Sequence, residues 1–194
     1  MIKYSIASVL ISILVISCKK EISNEKADIQ GNYKFISITA HTKSTTRTTS
    51  GTDVSEATTY SDYITQNNTG TVKIDGSTMT SQNLSYSIDT IMTSIVTTNG
   101  TSDTIQMPFQ VTVPPSSGTA AYQSISADSI YCPSGTIFMS GTTQAAIPSG
   151  ARIKLDGDKL YMTVHGIQTA TQTVQGETVY VYADVNGTVT LQKM

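Results

Sequence analysis

Apolar residues recur at every second position between residues 105 and 113 of this 194-residue chain. The stripe consists of Ile105, Met107, Phe109, Val111 and Val113. Successive side chains of a strand point to opposite faces, so this spacing predicts a β-strand with one apolar face. Asn99-Gly100 before the stripe is a strong signal for a two-residue hairpin turn. Pro108 within the strand indicates an edge position or a bulge.

Short alternating segments separated by turn residues continue through the rest of the chain, and no segment keeps a helical period. Turns are predicted at Asn67-Asn68-Thr69-Gly70, Asp75-Gly76, Asn99-Gly100, Asp156-Gly157-Asp158, Gln175-Gly176 and Asn186-Gly187. About nine to ten strands at such short spacing indicate an all-β domain. Two architectures fit: an antiparallel up-and-down β-barrel, or a two-sheet β-sandwich. The immunoglobulin-type sandwich usually has a buried Trp and paired cysteines, whereas this sequence has no Trp and two Cys.

Hydroxyl side chains replace most of the charges of an ordinary protein surface. The chain has 32 threonines and 24 serines, while only 13% of its residues are charged. Threonine is β-branched and favours strands, which supports the all-β prediction. The densest stretch of these residues, 43–55, also contains Gly51 and is predicted to be a loop.

The charge distribution excludes one class of partner. The formal net charge is −2, and no Lys or Arg occurs between Lys73 and Arg152. A nucleic-acid-binding protein would show a basic patch or stripe, so we expect no nucleic-acid partner.

The first eighteen residues have the order of an export signal: Lys3, an apolar run from Tyr4 to Ile16, then Ser17 and Cys18. The run of about 13 residues is shorter than the roughly 20 of a transmembrane helix. Val15-Ile16-Ser17-Cys18 resembles the lipobox of bacterial lipoproteins. The resemblance implies cleavage after Ser17, lipidation of Cys18, and attachment of the protein to a membrane through its acyl chains.

A polar segment follows the cysteine and ends near Lys26. Such a segment is typical of a solvated tether. Lys19-Lys20-Glu21 also resembles the export signals of Bacteroidetes surface lipoproteins. The predicted organisation is therefore a signal peptide at 1–17, a lipidated cysteine and tether at 18–27, and a single β domain at 28–194. The resemblance implies an outer-membrane anchor, with the domain facing the periplasm or the cell surface.

Two further segments resemble lipocalin-like proteins. Asp28-Ile29-Gln30-Gly31-Asn32-Tyr33-Lys34-Phe35 resembles the Gly-x-Trp opening of lipocalins, with Tyr33 in place of Trp. The segment 156–163 resembles a hairpin of lipocalin-like Bacteroidetes lipoproteins. The resemblance implies a β-barrel that binds a small apolar ligand in its interior. The interior wall would then be Ile105, Met107, Phe109 and Val111.

Few residues have side chains suited to catalysis or metal binding. His41 and His165 are far apart in sequence, and a zinc site needs three or four ligands. Cys132 follows apolar Ile130 and Tyr131, which favours a buried, inert thiol over a nucleophile. We therefore expect no catalytic residue, no metal site and no cofactor. The alternative to a small-ligand binder is a surface-exposed lipoprotein with a structural role, or one that contacts proteins or glycans without a small-molecule pocket. The sequence does not identify a protein partner.

Overall fold

The computed structural model describes residues 28–139, 148–174 and 177–194. The predicted signal peptide, Cys18, the tether and the Gln175-Gly176 turn lie outside these ranges. The described residues form ten strands and one 3₁₀ helix, Ile137–Met139. The strands are β1 (Gly31–Ser50), β2 (Asp53–Ile64), β3 (Gln66–Ile74), β4 (Thr78–Thr98), β5 (Thr101–Ala121), β6 (Gln123–Ser126), β7 (Ser129–Cys132), β8 (Ser149–Asp156), β9 (Lys159–Val174) and β10 (Glu177–Lys193).

All ten strands belong to one antiparallel, hydrogen-bonded sheet. This confirms the all-β antiparallel prediction and differs from the two separate sheets of the sandwich alternative. β2 and β3 act as one interrupted strand, because both pair with β1 and both pair with β4. β1 also pairs with β10, and the sheet continues through β9, β8, β7 and β6.

Chain continuity completes a ring of neighbouring strands. β5 pairs with β4, and after Tyr122 the chain continues as β6, which pairs with β7. The Tyr122 amide donates a hydrogen bond to the Ser77 carbonyl, and its hydroxyl donates to the Asp75 carbonyl. These two bonds hold the corner between β5 and β6 against the turn that joins β3 to β4.

The hydrophobic core occupies one end of this ring, which we call the buried end. Residues from the start of β1, the end of β3 and the start of β4 contribute to this core. The end of β5, the short strands β7 and β8, the start of β9 and the end of β10 complete it. Phe35, Leu191 and Leu160 lie side by side on three neighbouring strands, and all three are fully buried. Phe138 of the 3₁₀ helix stacks on Phe35 with 6.3 Å between the ring centroids. Burial of this cluster is the main source of folding free energy.

Six strands continue beyond the core as a sheet extension. It comprises residues 41–50, 53–62, 89–98, 101–110, 165–174 and 177–186, none of which belongs to the core cluster. Residues paired across strands share a face, so the two faces can be followed from the core outward. The core face carries Ala40 and Val189, which are buried, and the outer face carries His41 and Asn186.

Several turn and loop predictions can be compared with the structure. Asn99-Gly100 turns as predicted, with φ of 47° and 85°, and Asp156-Gly157-Asp158 joins β8 to β9. The predicted loop at 43–55 is wrong, because β1 runs to Ser50 and β2 begins at Asp53. The turn predicted at Asn186-Gly187 is also wrong, since both residues lie inside β10 and pair on both sides. The segment 67–70 lies within β3, where the register with β4 shifts but the chain does not reverse.

Candidate functional site

The outer face of the sheet extension carries the largest group of chemically versatile side chains in the described ranges. The register places Asp62, His41, Asn186 and His165 in one row across β2, β1, β10 and β9. Because adjacent strands are about 4.8 Å apart, the two histidines stand roughly 10 Å from each other. The sequence separates them by more than a hundred positions, and only the β1–β10 pairing brings them together.

Each histidine of this row has a carboxylate partner. His41 Nδ1 contacts Asp62 Oδ1 on the neighbouring strand, and both side chains are exposed. His165 Nε2 lies 2.9 Å from Asp184 Oδ1. The Tyr182 hydroxyl donates to Asp184 Oδ2 over 3.2 Å. Burial and the adjacent Asp184 carboxylate raise the pKa of Tyr182 above its ordinary value, so this phenol stays a neutral hydrogen-bond donor at physiological pH.

Aromatic and cationic side chains extend the outer face toward the hairpin tips. Lys43 Nζ lies 5.8 Å from the centre of the Tyr60 ring, within reach of a cation–π contact. Arg47 is paired with Tyr180, whose side chain is 38% exposed. The face thus combines tyrosine rings, charges of both signs and threonine hydroxyls within a few strand widths.

A cleft of about 640 Å³ opens where the row meets the buried end. β2 stops pairing with β4 after Tyr60, and β3 resumes the pairing at Gln66, so the strands separate between these points. The cleft is lined by His41, Asp62, Asn186, Asp89, Thr188 and the 61% exposed Ile64, among others. Its wide, shallow mouth suits a group of a larger partner better than an enclosed small molecule.

No metal centre forms among the described residues. No group of three or more His, Cys, Asp or Glu side chains in those ranges is placed to hold an ion. Asp156 pairs with Lys154 over 3.3 Å, and Asp158 accepts a hydrogen bond from Gln192 over 2.8 Å. The carboxylates of the predicted turn therefore have structural partners.

The residues predicted as an interior wall share the core face, as the period-two spacing predicts, but they lie beyond the core. Ile105 and Met107 are 47% and 39% exposed, and Phe109 and Val111 are partly buried. None of the four belongs to the core cluster. β5 is an edge strand there and pairs with β4 alone among the described strands.

The remaining predicted positions fall elsewhere. Cys132 is fully buried in the core, and burial raises the pKa of its thiol to about 11. Tyr33, which opens the domain, is buried and donates a hydrogen bond to the Ile29 carbonyl over 2.9 Å. Cys18, the predicted lipidation site, lies outside the described residues. None of the helical segments in the described ranges has the length and apolarity needed to cross a membrane.

Comparison with known proteins does not assign the chain to a family. No protein-family model matches the chain, and no curated protein matches it significantly. Two solved structures are similar in part. Both are of Ail, the attachment invasion locus protein of Yersinia pestis, one of them in complex with the heparin analogue sucrose octasulfate. They are 7% and 6% identical, cover 84% of this chain and 99% of Ail, and give TM-scores of 0.21 and 0.19. TM-scores this low carry no argument about fold or function.

Proposed function

We propose that this protein is a non-catalytic, lipid-anchored cell-envelope protein whose sheet extension binds a macromolecular partner through its outer face. In this proposal the buried end is a short lipocalin-like barrel that serves as a scaffold. The sequence-based alternative of an interaction lipoprotein is thereby preferred to a carrier of a small apolar ligand.

One observation carries the preference. Side chains fill the interior at the buried end, where the strands enclose it, whereas the sheet extension contributes no residue to the core cluster. Phe35, Phe138 and Tyr86 pack together at the buried end, with Met79 and Met162 in the same cluster. A barrel of about eight strands can be filled by side chains instead of a ligand. The predicted wall residues lie outside this enclosed part.

The chemistry of the outer face supports a polar, near-neutral partner. Tyrosines with hydroxyl and amide neighbours are typical of adaptable recognition surfaces, because tyrosine offers a large contact area at low entropic cost. The register pairs Lys43 with Asp184 and Arg47 with Glu56, so neither sign of charge dominates the face. A strongly anionic polymer would find no continuous basic stripe here.

Site-specific photo-crosslinking in intact cells tests this proposal. We expect a photo-reactive residue at Tyr180, on the outer face, to give a discrete high-mass adduct. The matched control is Val179, the adjacent residue of β10 on the core face. Adducts of equal yield at both positions, or at neither, would contradict an outer-face binding site. Digestion of the adduct with a protease or with glycosidases identifies the partner as protein or glycan.

The anchor and the location rest on the sequence motif and need their own tests. We expect labelled palmitate to enter the wild-type protein but not Cys18→Ser, and the variant to leave the membrane fraction. Protease treatment of intact cells separates the two orientations, because a domain facing the periplasm is digested only after the outer membrane is permeabilised.

A small apolar ligand on the core face is a second candidate, supported by the half-exposed stripe of Ile105 and Met107. Exposed large apolar side chains in one row are typical of a contact site. Native mass spectrometry of the gently purified chain tests this candidate, since a retained molecule that is lost in Met107→Ser would favour it over the outer-face proposal.

A further inference from the structure

The outer face of the sheet carries an exposed apolar patch that runs from the cleft along β4. Ile64 and Ile91 are 61% and 62% exposed, and Ile95 is 37% exposed. Ile91 is paired with the exposed Pro108 of β5, and Tyr60 of β2 lies beside β4 midway between Ile91 and Ile95. We call these five residues the isoleucine patch. Exposed large apolar side chains gathered on one face are typical of a contact site.

The dimensions of the isoleucine patch fit a short stretch of polypeptide. Strand residues rise about 3.3 Å each, so Ile91 and Ile95 lie roughly 13 Å apart along β4. The three strands that carry the patch span about 10 Å across. An extended segment of about five residues covers this length. Aliphatic side chains offer no hydrogen bond to the hydroxyls of a glycan, so the patch favours a protein segment with apolar side chains.

The strands under the patch contain acidic residues and no basic ones. The segments 53–62, 89–98 and 101–110 together have five Asp or Glu and no Lys, Arg or His. The basic residues of the neighbouring outer face, Lys43 and Arg47, belong to β1. Charges that balance over the whole outer face are therefore separated within it, and the isoleucine patch lies on the acidic side.

Asp89 stands out among the outer-face acids of these strands. Glu56 and Asp62 face basic side chains of β1. Asp89 instead is paired with the neutral Gln110 and forms no ion pair within the described ranges. Asp89 lines the cleft together with Ile64. A lysine or arginine placed there can lay its methylene stem on the isoleucine and its charge beside the carboxylate.

The same charge distribution disfavours two other occupants of the patch. A second copy of this chain docked through the same patch would bring one acidic surface against another, and like charges across an interface oppose binding. The anionic surface of a membrane attracts basic segments and would be repelled here. The charge complementary to this side of the sheet is positive.

From the exposed isoleucines and the one-sided charge, we propose that the isoleucine patch docks a short extended segment of a protein partner, in which apolar residues lie next to a lysine or arginine. The basic side chain occupies the cleft beside Asp89, and the apolar residues cover Ile91 and Ile95. Apolar contact supplies the affinity, and the acids select the sign of the partner's charge. This inference rests on the proposed function and adds the chemical class of the partner.

Photo-crosslinking in intact cells tests the inference at Gln106, an exposed outer-face residue of β5 beside the patch. We expect a photo-reactive residue there to give a high-mass adduct. Mass spectrometry of the digested adduct should show a partner peptide joined to residue 106, with Lys or Arg next to apolar residues. The matched control is Met107, the adjacent residue on the core face, which should give no such adduct.

Two pairs of variants separate the apolar contribution from the charged one. Ile91→Ser and Asp89→Lys should each lower the yield of the Gln106 adduct at least about fivefold. Ile105→Ser changes a 47% exposed isoleucine of the core face, and Asp103→Lys makes the same change of charge on that face. Both of these controls should leave the yield unchanged. Ile91 and Asp89 are exposed, so neither test substitution removes a core contact.

Several results would overturn the inference. They are a glycan joined to residue 106, a joined peptide without Lys or Arg, a yield that Ile91→Ser or Asp89→Lys does not lower, and an equal loss in the core-face controls. An adduct at Tyr180 without one at Gln106 would also overturn it, while the proposed function would stand. Absence of adducts at both positions would contradict the proposed function itself, and this inference with it.

Discussion

Replacing Leu191 by alanine should destabilise the protein far more than replacing Ile105, although each substitution removes three carbon atoms. Leu191 is fully buried between Phe35 and Leu160, whereas Ile105 is 47% exposed on β5. Three buried carbons contribute about 2.4 kcal/mol at roughly 0.8 kcal/mol each. At Leu191 the resulting cavity adds to this loss, giving a total of about 3–5 kcal/mol.

At Ile105 solvent already reaches about half of the side chain, and water fills the space that the substitution opens. We therefore expect a loss of only about 1 kcal/mol in Ile105→Ala. Urea unfolding followed by circular dichroism measures both values. With an m-value of about 2 kcal/mol/M, the midpoint should fall by roughly 1.5–2.5 M for Leu191→Ala and by about 0.5 M for Ile105→Ala.

Equal losses in the two variants would refute the assignment of stability to the buried end. They would mean that the stripe on β5 packs inside an enclosed interior, as the sequence-based wall prediction requires. An unchanged m-value is needed for the comparison, because a change in m would indicate altered compactness of one of the two states.

Three further predictions concern single positions at the buried end. Gly70→Ala should lower the free energy of unfolding by about 2 kcal/mol or more, because φ of Gly70 is 105° and a Cβ there would lie 2.7 Å from the Leu84 Cα. The control Gly76→Ala should change the melting temperature little, because a Cβ at Gly76 would meet no atom of a non-adjacent residue within 4 Å. Hydrogen bonds from the backbone amides of Ser77 and Thr78 lower the pKa of Asp75. The contribution of the Asp75 carboxylate to stability is therefore present at neutral pH and is lost as the pH falls below about 4. Asp75→Asn should flatten this part of a plot of melting temperature against pH. Cys132, with its pKa raised to about 11, should resist iodoacetamide at pH 7 and react after urea unfolding, and rapid labelling of the native protein would contradict its burial.

The most regular apolar stripe of the sequence does not lie in the core, and the reason is geometric. Alternation identifies the face of a strand on which a residue lies, but it does not indicate how far along the strand the covering layer extends. Ile105 and Met107 lie on the face that the alternation predicts, but the strands that enclose the core do not reach them. Tyr33 and Phe35 share β1 with the exposed Thr46, and only tertiary structure distinguishes the two ends of this strand.

Turn signals were reliable where no neighbouring strand competed with them. Asn99-Gly100 ends a strand pair and adopts positive φ at both residues, as the dipeptide predicts. Asn186-Gly187 has the same signal, but β1 pairs with it on one side and β9 on the other. The hydrogen bonds of two ladders outweigh a local preference of the order of 1 kcal/mol.

The row of His41 and His165 could not be read from the sequence, because it depends on the register between the first and last strands. One residue of slippage in the β1–β10 pairing would move His41 to the core face. The sequence does contain a weaker signal. His41, Lys43 and Arg47 alternate with Thr42, Ser44 and Thr46, so their strand has a charged face and a hydroxyl face.

The high threonine content follows from a sheet that is exposed on both faces. Apolar residues there would cause aggregation, whereas glycine and most charged residues favour strands poorly. Threonine combines β-branching with a solvated hydroxyl, and it hydrogen-bonds to its neighbour across strands, as in Thr45 with Thr58 at 3.0 Å. The same composition leaves few charges to attract a partner from a distance. Binding through the extension should therefore depend weakly on salt and rely on contact area.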